Sequence, residues 1–346
     1  MERNNQLWSI TPGMDLVKPK RVKAGGTVRL VAPSLSASII EPRVWDIGVR
    51  RLESKDLKVQ VGKHAMGSRG HTSGTIQERA DDLMDAFRDP EVDLVMSVIG
   101  GFNSNQLLPY LDFGAIRESR KPFIGYSDAT ALNNAILARS GLVNFHGPAF
   151  VTFCQPELSP YTERSFDRAL LEGVTNVPIE ASKCWAEDRW FMKESLGPRE
   201  WKNNPGWTIL REGHAKGNAV GGNLSTLMLL AGTEYWPDMN GAILFLEDDE
   251  AASPEVFDRD ITHLKQMGVF DQVYGLVIGR SPTEAGFTEG DSMAMVIDDL
   301  LGKCDLPVVA NVDIGHTDPM FTIPLGTRCE LSTDRKKLTF VERAVE

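Results

Sequence analysis

The run Val92-Asp-Leu-Val-Met-Ser-Val-Ile99 constrains the fold more than any other stretch of the chain. It is too apolar for a strand with one face in water, so it reads as a strand buried on both faces, as parallel sheets require. The sequence around it has the alternation that such a sheet needs. Upstream, Thr27-Val-Arg-Leu-Val-Ala32 ends in Pro33-Ser34 and reads as a first strand, residues 44–52 have helical spacing, and residues 57–61 alternate as a second strand. Thr75-Ile-Gln-Glu78 is a capping box, after which Ile76, Ala80, Leu83 and Phe87 share one helical face until Asp89-Pro90 ends it. Downstream, Phe123-Ile124 reads as the end of another buried strand, and Leu132, Ile136 and Leu137 continue at helical spacing as far as Gly141. Residues 1–155 therefore predict a doubly wound α/β sheet domain, in which ligands sit beyond the carboxyl ends of the strands.

Two turns fall on that rim. Ile99 runs straight into Gly100-Gly101-Phe102-Asn103-Ser104-Asn105 and then a helix-like stretch over 106–111. Paired glycines there can aim backbone N–H groups into a cleft, as half of an oxyanion hole, or simply make a tight turn. The second turn is Gly125-Tyr-Ser127-Asp128, strand to helix, the geometry that presents a nucleophilic serine. A serine so placed can equally be an N-cap that satisfies free helix N–H groups. The loop over 62–74, with four glycines, His64 and His71, matches no phosphate-binding fingerprint and reads as a plain loop.

Beyond residue 151 the periodicity fails until Trp207, and residues 156–205 read as a connecting segment rich in Pro, Glu, Arg and Trp. Four of the seven tryptophans lie in this region (Trp185, Trp190, Trp201, Trp207), more than a connection needs. They either seal an interface or offer a ring to a flat ligand. A second domain is expected over 206–346. In it, Gly221-Gly-Asn223 reads as a turn feeding an apolar helix. Residues 241–247 form a buried strand ending in Glu247-Asp-Asp-Glu250, and Pro254 opens a helix with His263 beside its apolar face. Strands over 273–278 and 307–314 follow, the latter ending in Gly315-His316-Thr-Asp318-Pro319.

A serine nucleophile needs a base and a group to orient that base. Three strand ends supply them in the order Ser127, Glu247, His316. A metal-dependent hydrolase built on Glu247, Asp248, Asp249 and His316 is a rival, but no zinc-ligand spacing supports it. A non-catalytic protein that sequesters a peptide-nucleotide is a second rival. The net charge of −11 argues against a nucleic-acid polymer or an anionic membrane as the main partner. Four scattered cysteines, no apolar run long enough to span a bilayer, and a polar start Met1-Glu-Arg-Asn-Asn5 predict a soluble cytoplasmic protein.

The ordered motifs resemble those of the LD-carboxypeptidase family of serine peptidases, and most closely its microcin C immunity (MccF-like) branch. The resemblance rests on Gly74-Thr75 with Glu78-Arg79 and Asp89-Pro90; Ile99-Gly-Gly-Phe-Asn-Ser-Asn105 with Leu107-Leu108; Gly125-Tyr-Ser-Asp-Ala-Thr-Ala-Leu132; His146-Gly-Pro148; Gly221-Gly-Asn-Leu224; Phe245-Leu-Glu247; and Gly315-His-Thr-Asp-Pro-Met320. It implies Ser127 as nucleophile, His316 as base, Glu247 as its orienting partner, and the N–H groups of Gly101 and Asp128 as the oxyanion hole. The carboxylate of Asp128 is then left as a helix-start charge. The implied fold is a nucleophile domain resembling class I glutamine amidotransferases plus a smaller, mostly β domain that carries Glu247 and His316. The resemblance further implies a homodimer with no metal or organic cofactor, acting on a small peptide or peptidyl-nucleotide. Trp185 or Trp190 is the ring expected to meet a nucleobase, with Asn223 as a further substrate contact. Murein-recycling members carry Arg-Gly-Gly-Tyr-Gly where this chain has Ile99-Gly-Gly-Phe-Asn; removal of a terminal D-alanine from a murein tetrapeptide is the alternative activity.

Overall fold

The computed structural model describes residues 15–192, 196–302 and 304–346. Residues 1–14, on which the reading of the amino terminus rests, lie outside the described residues. In chain order the strands are β1 (Thr27–Val31), β2 (Lys58–Val61), β3 (Leu94–Ser97), β4 (Phe123–Gly125), β5 (Asn144–His146), β6 (Val177–Ile179), β7 (Cys184–Trp185) and β8 (Lys202–Asn203). There follow β9 (Thr208–Arg211), β10 (His214–Asn223), β11 (Ile243–Glu247), β12 (Gly275–Gly279), β13 (Val308–Val312), β14 (Ile323–Leu325), β15 (Arg328–Ser332) and β16 (Lys337–Phe340).

The first sheet has the order β14-β5-β4-β3-β1-β2, with β1 to β5 all parallel and β14 antiparallel on β5. All four residues of β3 are buried, as its composition requires. Alternate side chains point to opposite faces of a strand. Leu94 and Met96 accordingly pack with Val44, Leu52 and Phe150 on one face, and Val95 packs with Leu83, Ile116 and Leu132 on the other. The capping box forms: Thr75 Oγ1 accepts from Glu78 N at 3.1 Å, and Glu78 Oε2 accepts from Thr75 N at 2.8 Å. The helix Ile76–Arg88 follows it.

The second sheet runs β6-β16-β15-β10-β11-β12-β13-β9. Its centre, β10 to β13, is parallel, and antiparallel strands complete both sides. The helix Pro254–Gln266 packs on it through Phe257, Ile261 and Leu264, as the spacing predicts, while His263 is exposed. The fold is thus a doubly wound α/β sheet domain joined to a second, separate sheet domain.

Two local readings differ from what the structure shows. Residues 151–207 are not aperiodic throughout: Ser159 caps a helix Pro160–Phe166 that continues over Asp167–Glu172 and buries Phe166 and Leu170. Its apolar repeat is too short to stand out, although the Ser-Pro start was a signal. Gly221-Gly-Asn223 is not a turn but the end of β10, in register with Phe245–Glu247 of β11.

The helix Thr130–Ser140 joins the two sheets. It is buried from Thr130 to Leu137, including Asn133 and Asn134. Asn134 Nδ2 donates to Gly221 O of β10 at 2.9 Å, and Thr130 Oγ1 accepts from Asn223 N at 2.9 Å. Polar groups can be buried there because they are hydrogen-bonded.

Candidate active site

β4 ends at Gly125, Tyr126 is extended, and Ser127 then takes a φ of +60° before the helix begins. A left-handed angle is uncommon for a residue with a Cβ and marks a sharp turn held by its surroundings. The backbone of Gly100 lies directly against this turn. A Cβ added there would stand 2.8 Å from Ser127 Oγ and 3.5 Å from Asp128 N. Gly101 has a φ of +149°, and a Cβ on it would overlap the Ser34 side chain. Only glycine fits both conditions at Gly101.

The Asp128 carboxylate is not a simple helix-start charge. It is buried, and its Oδ2 accepts from Asn103 N at 3.1 Å and Ser104 N at 2.9 Å. Ser104 Oγ donates to Asp128 O at 2.6 Å. Ser34 Oγ binds the same loop, accepting from Phe102 N at 3.0 Å and lying 2.7 Å from Asn103 Oδ1. Burial raises the Asp128 pKa, against the lowering effect of these hydrogen bonds. The carboxylate therefore staples the Gly100–Ser104 loop to the serine turn.

Glu247 closes β11 and His316 follows β13. Their side chains meet with His316 Nδ1 2.7 Å from Glu247 Oε2. Glu247 is almost fully buried, at 2% exposure, and a Cβ on Gly315 would overlap its carboxylate. Burial opposes ionisation of Glu247, yet the charge and hydrogen bond of His316, with His146, hold it below the usual carboxylate range. Burial likewise opposes a charge on His316, but Glu247, Asp249 and Asp248 outweigh it and raise its pKa to about 9. The two shifts agree in describing an ion pair. The His316 ring lies 5.1 Å from that of Tyr126, the residue before Ser127. With Nδ1 committed to Glu247, Nε2 is the nitrogen left for proton transfer. Next to Glu247, the buried Asp248 carboxyl is raised to about 7, by burial first and then by Glu247 and Asp249.

Ser127, Gly100, Gly101, Tyr126 and His316 line one cleft of about 890 Å³. Its mouth carries exposed apolar side chains from three segments: Ile39, Phe102 and Phe191. Trp190 lines the cleft but is 6% exposed, with Phe191 edge-on to it at 5.8 Å. Trp185 lies between cations, with Lys202 Nζ 4.8 Å and the Arg280 guanidinium 5.0 Å from its ring, and is not among the lining residues. Asn223 caps the helix Leu224–Met228 by accepting from Thr226 N, and its Nδ2 reaches Asp248 Oδ1 at 3.3 Å. It too is absent from the residues lining the cleft, and stands beside Asp248. Among the described residues, no group of three or more His, Cys, Asp or Glu side chains is gathered to hold a metal ion.

The connecting segment is tied to the histidine loop. Ala186 and Asp318 exchange backbone hydrogen bonds of 2.7 and 2.8 Å. Arg199, 6% exposed, reaches Asp318 Oδ2 at 2.9 Å and Asp188 Oδ1 at 2.8 Å. Sequence reading missed Arg199 as a support, since nothing in its neighbourhood shows that Asp318, 119 positions away, is its partner. Among the described residues, no helix is long and apolar enough to cross a membrane.

Comparisons with known proteins identify relatives of the whole chain. The family model described as the LD-carboxypeptidase N-terminal domain matches residues 28–147, and that of the LD-carboxypeptidase C-terminal domain matches residues 216–331. The chain is 33% identical to the microcin C7 self-immunity protein MccF of Escherichia coli, over 92% of this chain and 94% of that one. It is 31% identical to a probable murein peptide carboxypeptidase of Bacillus subtilis, over 92% of each. Among solved structures, an MccF-like protein from Bacillus anthracis superposes with a TM-score of 0.88 at 38% identity, covering 94% of this chain and 99% of that one. MccF in complex with aspartyl sulfamoyl adenosine superposes with a TM-score of 0.88 at 32% identity, covering 95% and 100%.

Proposed function

The chain belongs to the LD-carboxypeptidase family, whose members are serine-type carboxypeptidases, and on that premise we propose that it hydrolyses the amide bond of a peptidyl- or aminoacyl-nucleotide. The observation that carries the catalytic part is the His316–Glu247 pair, at 2.7 Å, with Glu247 buried and His316 lining the same cleft as a serine with a φ of +60°. His316 Nε2 takes the Ser127 proton, and Ser127 Oγ attacks the carbonyl carbon. The N–H groups of Gly101 and Asp128 hold the oxyanion, and His316 returns the proton to the leaving nitrogen. Water, deprotonated by His316, then frees the acyl group and restores Ser127. Residues 1–155 would contribute the nucleophile, 206–346 the base and acid, and 156–205 the wall of the cleft.

The nucleotide part of the reading is supported by the relatives: MccF-type structures at a TM-score of 0.88, one in complex with aspartyl sulfamoyl adenosine. The exposed rings of Phe102 and Phe191 at the cleft mouth suit a flat base. A role in detoxifying microcin C-type compounds follows from that substrate. Murein tetrapeptide cleavage is the second reading, favoured by the nearly equal identity to the murein peptide carboxypeptidase. Offering aspartyl sulfamoyl adenosine and a murein tetrapeptide side by side tests the choice. Cleavage of the first supports the proposal, and cleavage of the tetrapeptide alone overturns it. The reading also takes the enzyme as a cytoplasmic homodimer, for which light scattering on the purified protein should give twice the 38.2 kDa chain mass.

A further inference from the structure

His146 closes β5 and is 1% exposed, yet neither of its ring nitrogens has a hydrogen-bond partner. Facing it is a second buried atom in the same condition. Glu247 gives Oε2 to His316, while its Oε1 has no partner at hydrogen-bond geometry, the Asn223 side chain being the other polar group beside the carboxylate. These two unpartnered atoms are neighbours, with His146 Nε2 3.6 Å from Glu247 Oε1, just beyond hydrogen-bond range. A buried imidazole and a buried carboxylate oxygen each cost about 1–3 kcal/mol when left unsatisfied, so the contact is not neutral packing. The surroundings are shaped to admit the ring: a Cβ on Gly222 would stand 2.8 Å from His146 Nδ1. In the first sheet, His146 pairs with Gly125, two residues before Ser127, and with Ile323 of β14. It therefore stands on the sheet that carries the nucleophile turn and reaches the carboxylate that belongs to the other sheet.

We propose that His146 is a positioning residue, donating its Nε2–H to Glu247 Oε1 so that Oε2 is aimed at His316 Nδ1 and the two sheets are held in catalytic register. The proposal rests on the Ser127–His316–Glu247 reading and adds a fourth member to it. A carboxylate with one oxygen bound can rotate about its terminal torsion, which is a broad, soft one. Binding both oxygens removes that freedom and sets the tautomer of His316. The donor must be the neutral ring. Burial lowers the His146 pKa, with Glu247 raising it and His316 lowering it, and the lowering effects prevail. One Nε2–H···Oε1 bond gives a partner to His146 Nε2 and to Glu247 Oε1. The Nδ1 lone pair is then left toward the Gly222 side. The motif His146-Gly-Pro148 stood in the sequence without a role; this contact gives it one.

The test is a set of variants read by hydrolysis of aspartyl sulfamoyl adenosine, together with ring 15N NMR of the unliganded wild-type protein. His146→Leu removes the donor, and His146→Gln keeps an N–H near the Nε2 position. The expected result is a fall in kcat of about 10- to 100-fold for His146→Leu with KM little changed, the range that partners of a functional residue carry elsewhere. His146→Gln should recover most of it. The acidic limb of kcat/KM should move to higher pH in His146→Leu. There the Glu247 charge, no longer shared with a donor, holds the His316 proton more tightly, with Asp248 and Asp249 facing the same ring. The NMR spectrum should show His146 as the neutral Nε2–H tautomer across the range in which His316 titrates. An unchanged kcat and limb in a folded His146→Leu protein overturns the proposal, as does a His146 that is protonated or carries its hydrogen on Nδ1. Ser127→Ala separates the two layers: if it keeps activity, the triad reading fails whatever His146 does. Should the substitutions not fold or the compound not be cleaved, the wild-type NMR spectrum decides the matter by itself.

Discussion

Ser127 has no acidity of its own near neutral pH, so under the proposed mechanism the rate of attack depends on how often His316 can accept a proton. Glu247, Asp249 and Asp248 hold His316 as the imidazolium up to about pH 9, although burial works the other way. The base is the neutral form, which exists above that value and is lost below it. kcat/KM should therefore rise with pH along an acidic limb placed well above the ordinary imidazole value, which a profile from pH 6 to 10.5 measures. In Glu247→Gln the charge is gone, so the limb should fall toward about 6.5 while kcat drops. A limb unmoved by that change would mean that another group titrates. At this scale the placement of Ser127, Glu247 and His316 was legible, because each stands at or just beyond a strand end beside a turn. The Asp128 carboxylate was not. Its partners, the amides of Asn103 and Ser104, lie in a loop 25 and 24 positions upstream, and a helix-start aspartate looks the same with or without them. His146 was visible only as part of a motif, since its orphaned nitrogens are a property of packing.

The turns set where these side chains leave their sheets. Gly315 links β13 to His316 at a φ of +93°, with Glu247 packed where its Cβ would be. Gly315→Ala should push the carboxylate and the histidine apart. A displacement on the order of 1 Å can cost about 100-fold in rate, so kcat should fall by that order while circular dichroism stays native. Wild-type turnover in Gly315→Ala would show that the loop does not set the geometry. The parallel strands β1 to β4 and β11 to β13 were legible from composition and alternation, above all β3, whose unbroken apolar run demanded two covered faces. β14 was not, since three residues, Ile323-Pro-Leu325, carry no period, and only the neighbouring edge of β5 makes them a strand. The short helix after Ser159 escaped for the same reason: its buried face has two large residues, Phe166 and Leu170.

Across the whole molecule, the two sheets share structure instead of meeting at a thin interface. β14 comes from the far end of the chain yet completes the first sheet, and the helix Thr130–Ser140 is bonded to β10 through Asn134 and Thr130. The sheets should therefore unfold together, with tryptophan fluorescence, far-ultraviolet circular dichroism and loss of activity giving coincident denaturation curves; two separated transitions would contradict this. That long-range docking is the part no pattern in the sequence could supply, because periodicity describes each strand and is silent on which sheet a distant segment joins. The family resemblance supplied the expectation that Glu247 and His316 meet Ser127. The central claim is that Ser127 is the nucleophile they serve. The most direct measurement is the turnover of purified Ser127→Ala on a substrate the wild-type protein cleaves. The account predicts a loss of several orders of magnitude, on the order of 10⁴-fold or more, in a protein that folds as the wild type does. Near-wild-type hydrolysis by Ser127→Ala would contradict it.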